Sequence, residues 1–170
     1  MDFADKINED IRISENGDTV TAGELINLAF AAREKAYTPY SHFQVGAALL
    51  AKPLPEKDEG SLARVLAGKP VFLGCNIENA SYGATNCADR TAFFKAVSEG
   101  YREFLGIAVV GGPEGEEPSD YAYPCGICRQ VRAEFCGEDF FILVAKTRSD
   151  YKVYSLKALL PEAFTNTSLC

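Results

Sequence analysis

Pro124-Cys125-Gly126-Ile127-Cys128 sets two thiols three residues apart at the start of a predicted helix. At that spacing both reach one tetrahedral metal ion, with metal–sulfur bonds of about 2.3 Å. A third thiol, Cys87 in Asn86-Cys87-Ala88-Asp89-Arg90, stands at another predicted helix start. There the helix dipole lowers its pKa and favours the thiolate that metals require. Three protein ligands leave a fourth position open, the mark of catalytic zinc, where the metal lowers the pKa of a water toward neutrality. Three thiolates around a dication carry net negative charge, which opposes that effect, so nearby cations are needed. Arg90 and Arg129 follow ligands closely, and each is placed to donate hydrogen bonds to the sulfurs and draw charge from them. Asp89, two residues after Cys87, is placed to carry a proton between water and a substrate.

Other readings of the same cysteines remain open at this level. A C-x-x-C also serves redox chemistry, although Pro124 and not an aromatic stands directly before Cys125, and a fourth cysteine would close a purely structural site. Cys75 and Cys136 read as small buried apolar residues, and Cys170 ends the chain. His42 is the only histidine and reads as a loop residue after Pro39-Tyr40-Ser41. A histidine-rich metal site is therefore excluded.

The elements that must position these residues follow from hydrophobic periodicity. Thr21-Ala22-Gly23-Glu24 fits a capping box, and Leu25, Leu28, Ala29, Ala32 and Ala36 then recur at helical spacing until Pro39 blocks continuation. Apolar runs at 43–51 and 71–76 read as buried strands. Between them, 52–70 reads as a long surface connection in which 62–66 makes one helical turn. Residues 91–98 read as a helix ending at Gly100, and 105–110 as a strand stopped by Gly111-Gly112-Pro113. An acidic loop, 114–123, leads to a helix at 126–135, a strand at 140–144 and a short strand around Val153-Tyr154. Helices interleaved with buried strands predict an α/β layered domain around a mixed sheet.

Composition bounds the function. With 170 residues, 47% of them hydrophobic and 24% charged, the chain has the proportions of one folded, soluble domain. Residues 1–20 read as an N-terminal extension and 21–170 as a single domain. A net charge of -7 and the absence of a basic run exclude binding to bulk nucleic acid. The longest apolar stretches fall far short of the roughly 20 residues needed to cross a bilayer, so no membrane partner is expected. Met1-Asp2-Phe3-Ala4-Asp5-Lys6 is acidic where a secretory signal is basic, which places the chain in the cytoplasm. Six cysteines in that reducing compartment point to metal or catalysis more than to disulfides.

Four blocks in order then carry a resemblance. They are 40–48 (Tyr-Ser-His-Phe-Gln-Val-Gly-Ala-Ala), 76–82 (Asn-Ile-Glu-Asn-Ala-Ser-Tyr), 87–92 (Cys-Ala-Asp-Arg-Thr-Ala) and 124–130 (Pro-Cys-Gly-Ile-Cys-Arg-Gln). From about residue 21 to 164 the chain resembles the three-cysteine cytidine deaminases. The resemblance implies a three-layer α/β/α domain with a central mixed sheet. It also implies hydrolytic deamination of cytidine or deoxycytidine in pyrimidine salvage, with an activated water attacking C4 beside a carboxylate that is not a ligand. By position it assigns Zn2+ to Cys87, Cys125 and Cys128, with Arg90 and Arg129 behind them. It assigns stacking on the pyrimidine to Phe43, the ribose 3'-hydroxyl to Asn76 and Glu78, and the amino group of the base to the carbonyl of Ala88. An aromatic face suits a planar base, and a donor beside an acceptor suits a hydroxyl. It further implies a homotetramer whose sites neighbours complete through Tyr82 and Phe164.

One departure falls on the proton carrier, because the family's pattern has Glu where this chain has Asp89. The carboxylate must reach several atoms within roughly 2.6–3.2 Å, and Asp is one methylene shorter. Either the pocket adapts and the chain turns over cytidine, or it holds a pyrimidine nucleoside with weak or no turnover, or it acts on another aminopyrimidine such as a nucleoside antibiotic. The acidic residues of 52–70 and 114–123 would repel phosphate, favouring a free nucleoside over a nucleotide.

Overall fold

The computed structural model describes residues 20–54, 63–66 and 68–169. The expected N-terminal extension, apart from Val20, and the middle of the 52–70 connection lie outside the described residues, as does Cys170. Val20 itself is fully buried, in the core beneath the first helix.

That helix, α1 (Ala22–Arg33), begins at the expected capping box: Thr21 Oγ1 accepts from the Glu24 amide at 3.2 Å, and Glu24 Oε2 accepts from the Thr21 amide at 2.9 Å. It stops before Ala36 and well before Pro39. At its end Arg33 turns inward and donates to the carbonyls of Gln44 (3.2 Å), Pro113 (2.5 Å) and Glu116 (2.9 Å).

Six strands follow: β1 (Phe43–Ala51), β2 (Arg64–Leu66), β3 (Lys69–Cys75), β4 (Phe104–Pro113), β5 (Phe141–Ala145) and β6 (Tyr151–Ser155). They form one sheet in the order β2-β3-β1-β4-β5-β6, with β4 and β5 parallel and the other neighbours antiparallel. Along β1 the side chains alternate between two cores. Ala48 and Leu50 join Val71, Ala108 and Val110 under α1. Ala47, Leu49 and Ala51 join Phe72 and Ile107 on the opposite face, under α2 (Ala88–Ser98) and α3 (Gly126–Phe135). Covering both faces makes the central strands apolar throughout, which is why they read as unbroken runs. The expected three-layer α/β/α arrangement with a mixed sheet is present.

Several local expectations are corrected. Residues 64–66 are a strand, paired antiparallel with the edge of β3 from Arg64↔Val71 to Leu66↔Lys69, and not part of a helical turn. β4 does not stop at Gly111 but pairs with β1 as far as Phe43↔Pro113. The glycines there permit close approach: a Cβ at Gly111 would lie 2.7 Å from the Ala122 side chain and 3.1 Å from the Phe43 ring. Cys75 and Cys136 are half-buried and not fully buried, with Cys136 packed against the core on the α2 and α3 face. A short helix that the sequence did not announce, α4 (Leu156–Leu159), follows β6. No helix among the described residues is long and apolar enough to cross a membrane.

Candidate active site

Two helix N-termini converge above the sheet. Cys87 is the N-cap of α2, Cys125 is the N-cap of α3, and Cys128 lies in the first turn of α3. Their sulfurs all lie within 4.8 Å of one another, with Cys87–Cys125 at 3.9 Å and Cys125–Cys128 at 3.4 Å. Four ligands about 2.3 Å from one tetrahedral ion stand about 3.8 Å apart, so the cluster has the chemistry and dimensions of a zinc site. The Cys87 thiol is held down to about 5, first by its hydrogen bond with Cys128 and further by those from Arg90 and Cys125, against the cost of burial. The Cys128 thiol is pushed up by the same interaction with Cys87 and by burial.

Of the two arginines expected behind the thiols, one reaches a sulfur. Arg90 Nη2 lies 3.7 Å from Cys87 Sγ and 3.1 Å from the Thr85 carbonyl. Among the described residues, Arg129 hydrogen-bonds none of the three clustered sulfurs. Its Nε donates to the Pro124 carbonyl at 2.9 Å and its Nη1 to the Leu159 carbonyl at 2.7 Å, so it fixes the backbone just before Cys125. A third arginine was missed by sequence reasoning. Arg132 Nη2 donates to Asp89 Oδ2 at 2.5 Å, with both side chains buried. The signal was its position four residues after Cys128, which puts both on one face of α3.

The thiols and Asp89 line a single cavity of about 280 Å³, with Phe43, Asn76, Ala88 and Tyr123 among its other walls. That is near the lower end of the roughly 300–1,000 Å³ of small-molecule sites. Phe43, at the start of β1, is 41% exposed and presents an aromatic wall. Asn76 lines the cavity with its amide already engaged, accepting from the Val45 amide and donating to the Phe43 carbonyl, both at 2.8 Å. It therefore ties the end of β3 to the start of β1. Ala88 is buried, and its carbonyl oxygen packs over Gly74, where a Cβ would lie 2.3 Å from it.

The sequence model described as "Cytidine and deoxycytidylate deaminase zinc-binding region" matches residues 20–144. The chain belongs to this family. It is 49% identical over 141 residues to a cytidine deaminase of Halalkalibacterium halodurans, covering 83% of this chain and 92% of that protein. It is 44% identical over 146 residues to one of Sporosarcina psychrophila, covering 86% and 93%. Among solved structures it resembles cytidine deaminase from Burkholderia pseudomallei, with a TM-score of 0.70 at 45% identity over 85% of this chain and all of that one.

Zinc binding belongs to this family, and Cys87, Cys125 and Cys128 form a cluster able to hold a metal ion. Glu78 stands outside the cavity that holds these ligands. Its carboxylate accepts from the amides of Tyr40 (2.9 Å) and Ser41 (3.2 Å) and from the Ser41 hydroxyl, which, first among these, holds its pKa below the usual carboxylate range. It thus anchors the loop that leads into Phe43, in a neighbouring depression shared with Tyr82 and Thr85. His42 is a loop residue, as expected. It adopts a left-handed φ of 53° and faces Glu114 at 3.1 Å. Tyr82 and Phe164 are 78% and 59% exposed, and the Phe164 carbonyl accepts from Gln130 Nε2 at 2.7 Å.

Proposed function

We propose that this chain is a zinc-dependent hydrolase that converts free cytidine or deoxycytidine, with water, to uridine or deoxyuridine and ammonia. The observation that carries this reading is the convergence of the three thiols and Asp89 in one cavity with an aromatic wall. In the reaction a C4–O bond forms and the C4–N bond breaks. Of the two protons of the water, one goes to N3 and one to the departing amine. Bound zinc supplies Lewis acidity that makes the water nucleophilic near neutral pH. The Asp89 carboxylate receives each proton from the water and delivers it, first to N3 and then to the leaving nitrogen. Phe43 stacks on the pyrimidine, while the backbone around Ala88, in the first turn of α2, borders the base. Arg90 draws charge from Cys87 and keeps the ligand set from becoming too electron-rich.

The ribose lies toward Asn76 and Glu78. Both side chains already hold the 40–45 segment, so their contribution to the sugar works through that loop as well as through any exchanged hydrogen bond. The chain assembles as a homotetramer whose neighbours use the exposed Tyr82 and Phe164, a reading supported by their exposure close to the loop and helix that border the cavity.

The test is ultraviolet detection of cytidine conversion on zinc-verified protein, with cytidine, deoxycytidine and their 5'-phosphates supplied in parallel. Turnover of the nucleosides well above their phosphates is expected. Binding of cytidine without ammonia release would overturn the assignment.

A further inference from the structure

We propose that Arg132 is the positioning residue that makes a shortened proton carrier workable. This rests on the deaminase reading above. Arg132 is fully buried, and its Nη2 donates to Asp89 Oδ2 at 2.5 Å. Its Nε and Nη1 are also buried and have no hydrogen-bond partner among the described residues. A buried guanidinium with two idle donors is poor economy for stability, since burying charge costs free energy unless every donor is satisfied. Its single strong contact is with the carboxylate at the centre of the chemistry.

The geometry assigns the two carboxylate oxygens different tasks. Oδ2 is bound to Arg132, whereas Oδ1 accepts no hydrogen bond from any described residue, and Asp89 lines the cavity. Pinning one oxygen arrests rotation about the Cβ–Cγ bond and leaves the other to exchange protons. A Glu reaches its target by extending from the backbone. An Asp lacks that reach and depends more on being held, which Arg132 does from the next helix. Because Arg132 and Cys128 share one face of α3, the element that delivers the cation also delivers a zinc ligand. The separation between carboxylate and ligand set is thereby fixed by two rigid helices.

The experiment compares Arg132→Met and Arg132→Lys, each alone and combined with Asp89→Glu, for kcat, KM and zinc content with cytidine. Arg132→Met is expected to lower kcat roughly 10- to 100-fold with KM changed less than about threefold and zinc retained. Arg132→Lys, which keeps the charge, restores part of the loss. In the Asp89→Glu background the longer acid makes the loss from Arg132→Met shrink to less than about threefold. A second readout needs no turnover: in metal-free protein, a double-mutant cycle of Asp89→Asn with Arg132→Met should show coupling of at least about tenfold in the unfolding equilibrium. The positioning role is overturned if Arg132→Met leaves or raises kcat, if it costs as much beside Glu as beside Asp, or if the metal-free cycle shows no coupling. A zinc-loaded unmodified chain that turns over no cytidine would instead refute the deaminase reading itself, and the positioning role with it.

Discussion

Gly74 of β3 faces the start of α2, and replacing it with Ala measures how rigidly the sheet sets Asp89, the proposed proton carrier. A Cβ at Gly74 would lie 2.3 Å from the Ala88 carbonyl oxygen and 2.5 Å from the Ala92 amide nitrogen. Both are backbone atoms of α2, so no side chain can swing aside. The first turn of the helix must retreat by about 0.7 Å before the closest contact reaches even 3.0 Å. That turn carries Asp89 and follows Cys87 directly. A misplacement on the order of 1 Å costs roughly a hundredfold in rate, so Gly74→Ala should lower kcat about 10- to 100-fold. The overpacking should also cost about 1–3 kcal/mol of stability. Gly23→Ala is the control, because nothing lies within 4 Å of its Cβ and the residue sits inside α1; it should gain roughly 0.5–1 kcal/mol. The assay is saturating cytidine turnover well below the unfolding midpoint, with zinc quantified in each sample. A folded Gly74→Ala protein that keeps kcat within about twofold of the unmodified chain would refute the reasoning, since α2 would then not be held in register by β3.

Further expectations concern the ligands and the loop. Cys87→Ala, Cys125→Ala and Cys128→Ala should each lose zinc by elemental analysis, and stoichiometric zinc in all three would remove the site. In metal-stripped protein, the native environment of Cys87 favours its thiolate below the ordinary value of 9.0, so its alkylation rate should rise with pH through about 5, while Cys128, pushed the other way, stays unreactive to well above neutrality. Peptide mass spectrometry across that pH range reads both sites, and Cys87 reactivity rising only near 9 would contradict the geometry. Glu78→Ala releases the amides of Tyr40 and Ser41. It should raise KM for cytidine more than it lowers kcat, and unchanged cytidine affinity by calorimetry would separate Glu78 from nucleoside binding.

Much of the scaffold was legible because it depends on local pattern. The apolar run 43–51 is β1 to the residue, residues 126–135 are α3, and Thr21 with Glu24 forms the capping box of α1. What escaped depends on partners distant in sequence. Residues 64–66 have no strand alternation of their own and become β2 only by pairing with the edge of β3. Gly111 and Gly112 look like a stop, yet the ladder with β1 runs past them. At the site, residue types and spacing pointed to the three thiols that cluster and to Arg90 beside Cys87. The partners of Glu78 lie about 37 residues upstream in a loop, and the sequence carries no signal for them. Arg129 and Arg132 show the same limit: both follow Cys128 on α3, and only the fold decides that the nearer one holds backbone carbonyls while the farther one pairs with Asp89.

The most direct test of the central claim is cytidine turnover by the unmodified chain and by Asp89→Asn, both carrying one zinc per chain. Asn nearly preserves shape while removing the ability to accept and return a proton, so the account predicts robust deamination by the unmodified chain and a loss of at least about a hundredfold in the variant. Equal turnover by the two proteins would contradict it.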